Sequence, residues 1–139
     1  MDLVEALHRR LNGVPGLAAV GDRVSWMQRN PGEGLPALVP QLVSEERPQQ
    51  LDGFEDMRSA RVQLAAMSFD FLEARALREA ALAALVPAAE LTAIAPDTGL
   101  VQFWEAEVAG IRDLSEDVEG QGAVFRALAD LIIRYAVEA

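Results

Sequence analysis

Apolar residues recur at helical spacing at the start of the chain, where Leu3, Val4, Leu7 and Leu11 share one face of a helix. Asp2 and Glu5 stand at the positions of a capping box, and Asn12-Gly13 followed by Pro15-Gly16 stops the helix. Leu17 to Val20 is a short apolar step. Gly21-Asp22 turns the chain into Arg23-Val24-Ser25-Trp26, which reads as a short strand, and residues 30–34 are loop by composition. Pro36 opens a second strand, Ala37 to about Arg47. Pro40 lies inside it and has no N–H to donate, so this strand is an edge or is bulged at that point. The stretch from Pro48 to Met57 reads as a loop. Arg58 to Ser68 then alternates with a period of two, Val62 and Leu64 on one face and Arg61 and Gln63 on the other. The two strands and their loop make a long hairpin.

The clearest helix follows. Asp70 caps it, Glu73 sits in its first turn, and Ala74, Leu77, Ala81 and Leu85 form the buried stripe. Glu73, Arg75, Arg78 and Glu79 are expected to face water, and Pro87 ends the helix. Residues 86–102 are a connector containing the turn Pro96-Asp97-Thr98-Gly99. Phe103 to about Asp117 is a strand with Gly110 as a bulge position, and residues 119–122 turn the chain back. From Ala123 to Val137 two periods compete. Val124, Leu128, Leu131 and Tyr135 fit a helix; Phe125, Ala127, Ala129, Leu131, Ile133, Tyr135 and Val137 fit a strand. The Gly-flanked turn and the β-branched pair Ile132-Ile133 favour the strand. No internal repeat is visible.

Composition narrows the function classes. At 139 residues the chain has the size of one domain, and folding should bury roughly 68% of its extended surface. No apolar run reaches the roughly 20 residues of a membrane span, and residues 1–5 do not open a secretory leader. There is no Cys and no Lys, and the sole His is His8. Nucleophile, tunable base and thiolate metal site are thus missing or solitary. The net charge is −10. Most of it lies in residues 97–121, where Asp97, Glu105, Glu107, Asp113, Glu116, Asp117 and Glu119 face only Arg112. An acidic surface repels nucleic acid phosphate.

Each candidate site has a plainer reading. His8 lacks a recognisable nucleophile and orienting partner and reads as a helix-surface residue. Asp113 to Glu119 lacks the regular ligand spacing of a calcium loop and reads as a solvated strand end. The Gly-x-Gly pairs at 32–34 and 120–122 open no phosphate-binding motif. No catalytic, cofactor-binding or metal site is expected. Trp26 and Trp104 suit a core or an interface equally. The segment Pro48–Met57 resists a plain reading, because Leu51, Phe54 and Met57 stand among Gln49, Gln50, Asp52, Glu55 and Asp56. With the flanking cations, the residues expected to form a protein interface are Arg47, Gln49, Leu51, Asp52, Phe54, Met57 and Arg58.

The order of these signals resembles a known family. After the amphipathic helix come Val20-Gly21-Asp22-Arg23-Val24, the strand Pro36-Ala37-Leu38-Val39 running to Val43-Ser44-Glu45-Glu46-Arg47, and Leu51-Asp52-Gly53. Then follow Ala60-Arg61-Val62-Gln63-Leu64 and the helix opening at Phe71-Leu72-Glu73-Ala74. The whole resembles the tail-completion, or tail-terminator, proteins of long-tailed phages and gene transfer agents. The likeness rests on order and spacing over nearly the whole chain, since each motif alone is common. Ala37 stands where the family often has an aromatic residue, residues 86–102 are longer than usual, and the last strand is richer in Ala.

The resemblance implies an α+β protomer of one domain, residues 1–139, with a mostly antiparallel sheet, a long hairpin and two or three helices. It implies a homo-hexameric ring at the head-proximal end of the tail, assembled in the host cytoplasm without cofactor or catalysis. Its partners would be other copies of itself, the tail-tube protein and the head connector, with DNA passing through an acidic lumen. A head-side connector or neck protein, and a small bacterial α+β ligand- or partner-binding domain, are the competing readings.

Overall fold

The computed structural model describes residues 3–12, 14–21, 23–28, 34–47, 49–50, 53–54, 57–86, 93–94, 100–118, 120 and 122–138. Helix α1 (Leu3–Leu11) is followed by a 3-10 turn at Pro15–Leu17. Strands β1 (Ala37–Glu46), β2 (Gln49–Gln50), β3 (Gly53–Phe54) and β4 (Met57–Ser68) come next, then helix α2 (Phe71–Leu85). The chain ends with β5 (Ala93–Ile94), β6 (Leu100–Val118) and β7 (Gly122–Glu138). The main sheet has the order β1-β4-β7-β6-β5 and is antiparallel throughout. This is the expected α+β architecture, with four long strands and two α-helices among the described residues.

α1 and α2 pack on one face of the sheet. Leu3, Ala6, Leu7 and Leu11 of α1 meet Ala74, Leu77, Ala81, Leu82 and Leu85 of α2 over Val62, Leu64, Leu131, Ile133 and Tyr135. Small residues at Ala60, Ala66, Ala127 and Ala129 leave room for the helices on this face. Gly16 makes the tightest approach: a Cβ there would lie 2.7 Å from Ala80 Cβ on α2. α2 starts as the sequence predicts. Asp70 Oδ1 accepts from the Leu72 N–H at 3.1 Å. Ser68 Oγ accepts from the Asp70 N–H and donates to Glu73 at 2.6 Å, so the first turn's free N–H groups and its acid are held together. The cap expected at Asp2 lies outside the described residues.

β7 resolves as a strand. Ala127, Ala129, Leu131, Ile133 and Tyr135 face the helices, while Val124 and Leu128 are buried on the opposite face. A strand buried on both faces loses clean alternation, which is why its sequence also fits a helix. The predicted bulge near Gly110 is present, as a register shift between Val108 and Gly110. The irregularity in β1 falls between Leu42 and Ser44 rather than at Pro40.

Three expectations need correction. Residues Arg23–Trp26 form no strand, only a single parallel bridge from Val24 to Leu38. Leu38 bonds Arg23 and Ser25, and the Pro40 carbonyl accepts from the Met27 N–H at 2.8 Å. The ladder's next bond would need an N–H on residue 40, which Pro lacks. This segment also covers the β1 edge around Pro40. Arg78 does not face water. It is 1% exposed, and its Nη1 donates to Asp113 Oδ1 at 2.8 Å and to the Arg112 carbonyl at 3.3 Å. Nor are the acids of 113–119 simply solvated, since Asp113 pairs with Arg78 and Glu116 with Arg126 at 2.6 Å.

Candidate protein interface

The β1–β4 ladder runs down to Glu46 opposite Ser59. Beyond it the chain continues as a smaller hairpin, Gln49 opposite Phe54 and Gln50 opposite Gly53. The segment 48–57 is therefore not wholly loop: backbone pairing extends into it past the end of the main sheet. Leu51 and Asp52 lie outside the described residues, as do the side chains of Gln49, Phe54 and Met57. The structure brings the backbone of Gln49, Phe54 and Met57 to the end of one hairpin with Arg47 and Arg58 at its base.

That base is tied to the rest of the molecule by a polar cluster. Tyr135, 1% exposed, donates its hydroxyl to Glu45 Oε1 at 2.8 Å. Arg47 Nη2 donates to the other carboxylate oxygen at 3.1 Å. Arg58 lies directly across from Tyr135, and its Nε is buried with no hydrogen-bond partner. Burial, then the hydrogen bond to Glu45 and that residue's negative charge, push the Tyr135 phenol well above its ordinary range, with Arg58 and Arg47 opposing. Glu45 and Tyr135 thus clamp the hairpin base onto the last strand. Arg47, expected in a protein interface, already pairs within its own chain.

His8 is more than the helix-surface residue expected, and Trp26 takes the first of its two readings, the core. The Trp26 indole packs against the core and donates to His8 Nδ1 at 3.3 Å, so the imidazole anchors the Trp. The Trp104 side chain lies outside the described residues. Two exposed apolar groups escaped the sequence reading. Phe69, Phe71 and Leu72 cluster at the β4–α2 corner, where Phe71 stacks obliquely on Phe125 at 5.7 Å. Val108, Ile111 and Leu114 lie along β6 and are each about half exposed. The first group was legible in principle, because large apolar residues flank the Asp70 cap, off the stripe that α2 buries. Among the described residues, no group of three or more His, Cys, Asp or Glu is placed to hold a metal, and no helix is long and apolar enough to cross a membrane.

An acidic α+β protomer with exposed apolar strand and corner surfaces has the character of an assembly subunit. The model of the family described as tail completion protein gp17 matches residues 5–136, and the chain belongs to that family. It is a structural protein of a phage-type tail, and its place is the virion. A chain from the virion of a native gene transfer agent particle has a similar fold, with a TM-score of 0.58 and 21% identity over 99% of this chain and 95% of that one. No curated protein sequence matches.

Proposed function

We propose that the chain, as one domain, forms a closed ring at the head-proximal end of the tail tube, ends tube growth there and joins the tail to the head connector. The observation that carries this is the family match over residues 5–136. The small hairpin past the end of the β1–β4 ladder supports it: an element of that kind that docks on a different surface of the next copy makes a head-to-tail contact, which closes into a ring. Six copies is the expected number. Arg47, Gln49, Leu51, Asp52, Phe54, Met57 and Arg58 form the contact, with the apolar three supplying affinity and the charges register. No catalytic step, metal or cofactor enters this role. The charge of −10 per copy suits a lumen through which DNA passes without sticking. Native mass spectrometry and images of the neck of assembled tails test the reading. Six copies in one ring is the expected result; a strict dimer in assembled particles refutes it.

A further inference from the structure

The sheet face away from the helices is only partly covered. Across it lies an open groove of about 620 Å³. The strand register sets out its floor: Val39, Ala65 and Leu128 form one row across β1, β4 and β7, and Met67 and Val124 lie beyond them. Val39, Met67, Val124 and Leu128 are at most 7% exposed, and the open apolar side chain lining the groove is Leu114 on β6, 48% exposed. Two cations line the groove, Arg112 on β6 and Arg126 on β7. The Arg112 guanidinium has no partner among the described residues. Arg126 gives one Nη to Glu116, but its Nε is buried with no hydrogen-bond partner. An apolar floor beside two incompletely matched guanidiniums is out of place on a chain of charge −10, where acids outnumber bases. It fits an acidic element with large apolar side chains.

The chain itself contains such an element. The hairpin segment carries Asp52, Glu55 and Asp56 together with Leu51, Phe54 and Met57. It cannot reach its own groove. The floor begins at Ala65, eight residues from Met57 on β4, about 26 Å at the rise of a strand, whereas a hairpin of this length reaches about 15 Å. We propose that the groove on the open sheet face receives the β2–β3 hairpin of the next copy, its acids meeting Arg112 and Arg126 and its apolar residues packing on Leu114. This rests on the ring reading and supplies the hairpin's partner surface. Donor and acceptor lie at opposite ends of the protomer, so the contact is head-to-tail and leaves no free hairpin once the ring closes.

Charge reversal tests this in trans. One variant carries Arg112→Glu and Arg126→Glu; the other carries Glu55→Arg and Asp56→Arg. Assembly is read by native mass spectrometry of concentrated protein and by copies retained on purified tail tubes, with circular dichroism checking each fold. Arg112→Glu alone, at an exposed position, serves if the double groove variant unfolds. Each variant alone should lose at least ten-fold in assembly. An equimolar mixture should recover it as an alternating ring, because each reversed hairpin then meets a reversed groove. If the wild type assembles and the groove variants assemble equally well, or the mixture does no better than its components, the groove proposal is overturned and the ring stands. Loss of tube binding with the ring intact assigns the groove to the tube protein and equally overturns it. A wild-type chain that stays monomeric by both readouts overturns the ring reading first and this one with it.

Discussion

Removing Asp113 should cost more than removing the cation it serves. Arg78 is 1% exposed and makes its shortest contact, 2.8 Å, with Asp113. Asp113→Ala leaves a guanidinium trapped under β6, held by the Arg112 carbonyl at 3.3 Å and by Glu79 at 3.4 Å. Breaking a buried pair from one side costs about 3–5 kcal/mol. The Asp113 side chain is 34% exposed and Glu79 is 61% exposed, so water and a weak second acid remain, and the expected loss is at the low end, about 3 kcal/mol. With an unfolding entropy of about 2.1 cal/mol/K per residue, that lowers the melting temperature by about 10 °C. Arg78→Met removes the charge with little change of shape and lets Asp113 turn to solvent. Its cost should be about 1 kcal/mol or less. The double variant should resemble Arg78→Met alone, since the orphaned charge is gone. Thermal unfolding by circular dichroism at low protein concentration measures all three. The reasoning fails if Arg78→Met is as damaging as Asp113→Ala, or if the two losses add.

Gly16→Ala should destabilise the protomer by about 1–3 kcal/mol, seen in urea unfolding, because the new methyl would lie 2.7 Å from a Cβ fixed on α2. Tyr135 is the sole Tyr, so its near-ultraviolet phenolate absorbance reports one group. The folded protein should show no phenolate at a pH where a free Tyr is ionised. The raised phenol binds its proton more tightly in the folded state, so its contribution is complete below about pH 10, the unfolded value, and is lost as pH rises above it. The slope there is about 1.4 kcal/mol per pH unit. Phe54→Ala should leave the melting temperature nearly unchanged and weaken ring formation or tube capping; a variant that unfolds would place the hairpin in the core. Chelator treatment of dialysed protein should leave the melting temperature unmoved, and a drop of several degrees would reveal a cation site.

The hairpin shows how far sequence carried the candidate site. Large apolar residues among acids at 48–57 marked it for contact, since such side chains gain little in water. The pairing of Gln49–Gln50 with Gly53–Phe54 and the tether from Tyr135 to Glu45, 90 residues apart, depend on which strands become neighbours. The groove that we assign to it was invisible for the same reason: its floor comes from β1, β4 and β7, no two of its rows being contiguous in the chain.

Local rules wrote much of this protein directly into its sequence. The Asp70 cap, the stripe of α2, the bulge beside Gly110 and the edge character of a strand holding Pro40 all follow from the bonds and faces available to a few adjacent residues. Tertiary structure decided the rest. The helical face that seemed to send Arg78 to water is closed by β6, and only that strand's Asp113 makes its burial tolerable. The 23–27 segment stays short of a strand because its intended partner is Pro40. β7 mixes two periods because it is covered on both faces. In each case the deciding atom lies on an element distant in sequence, so its effect on burial or hydrogen bonding exists only once the chain has folded.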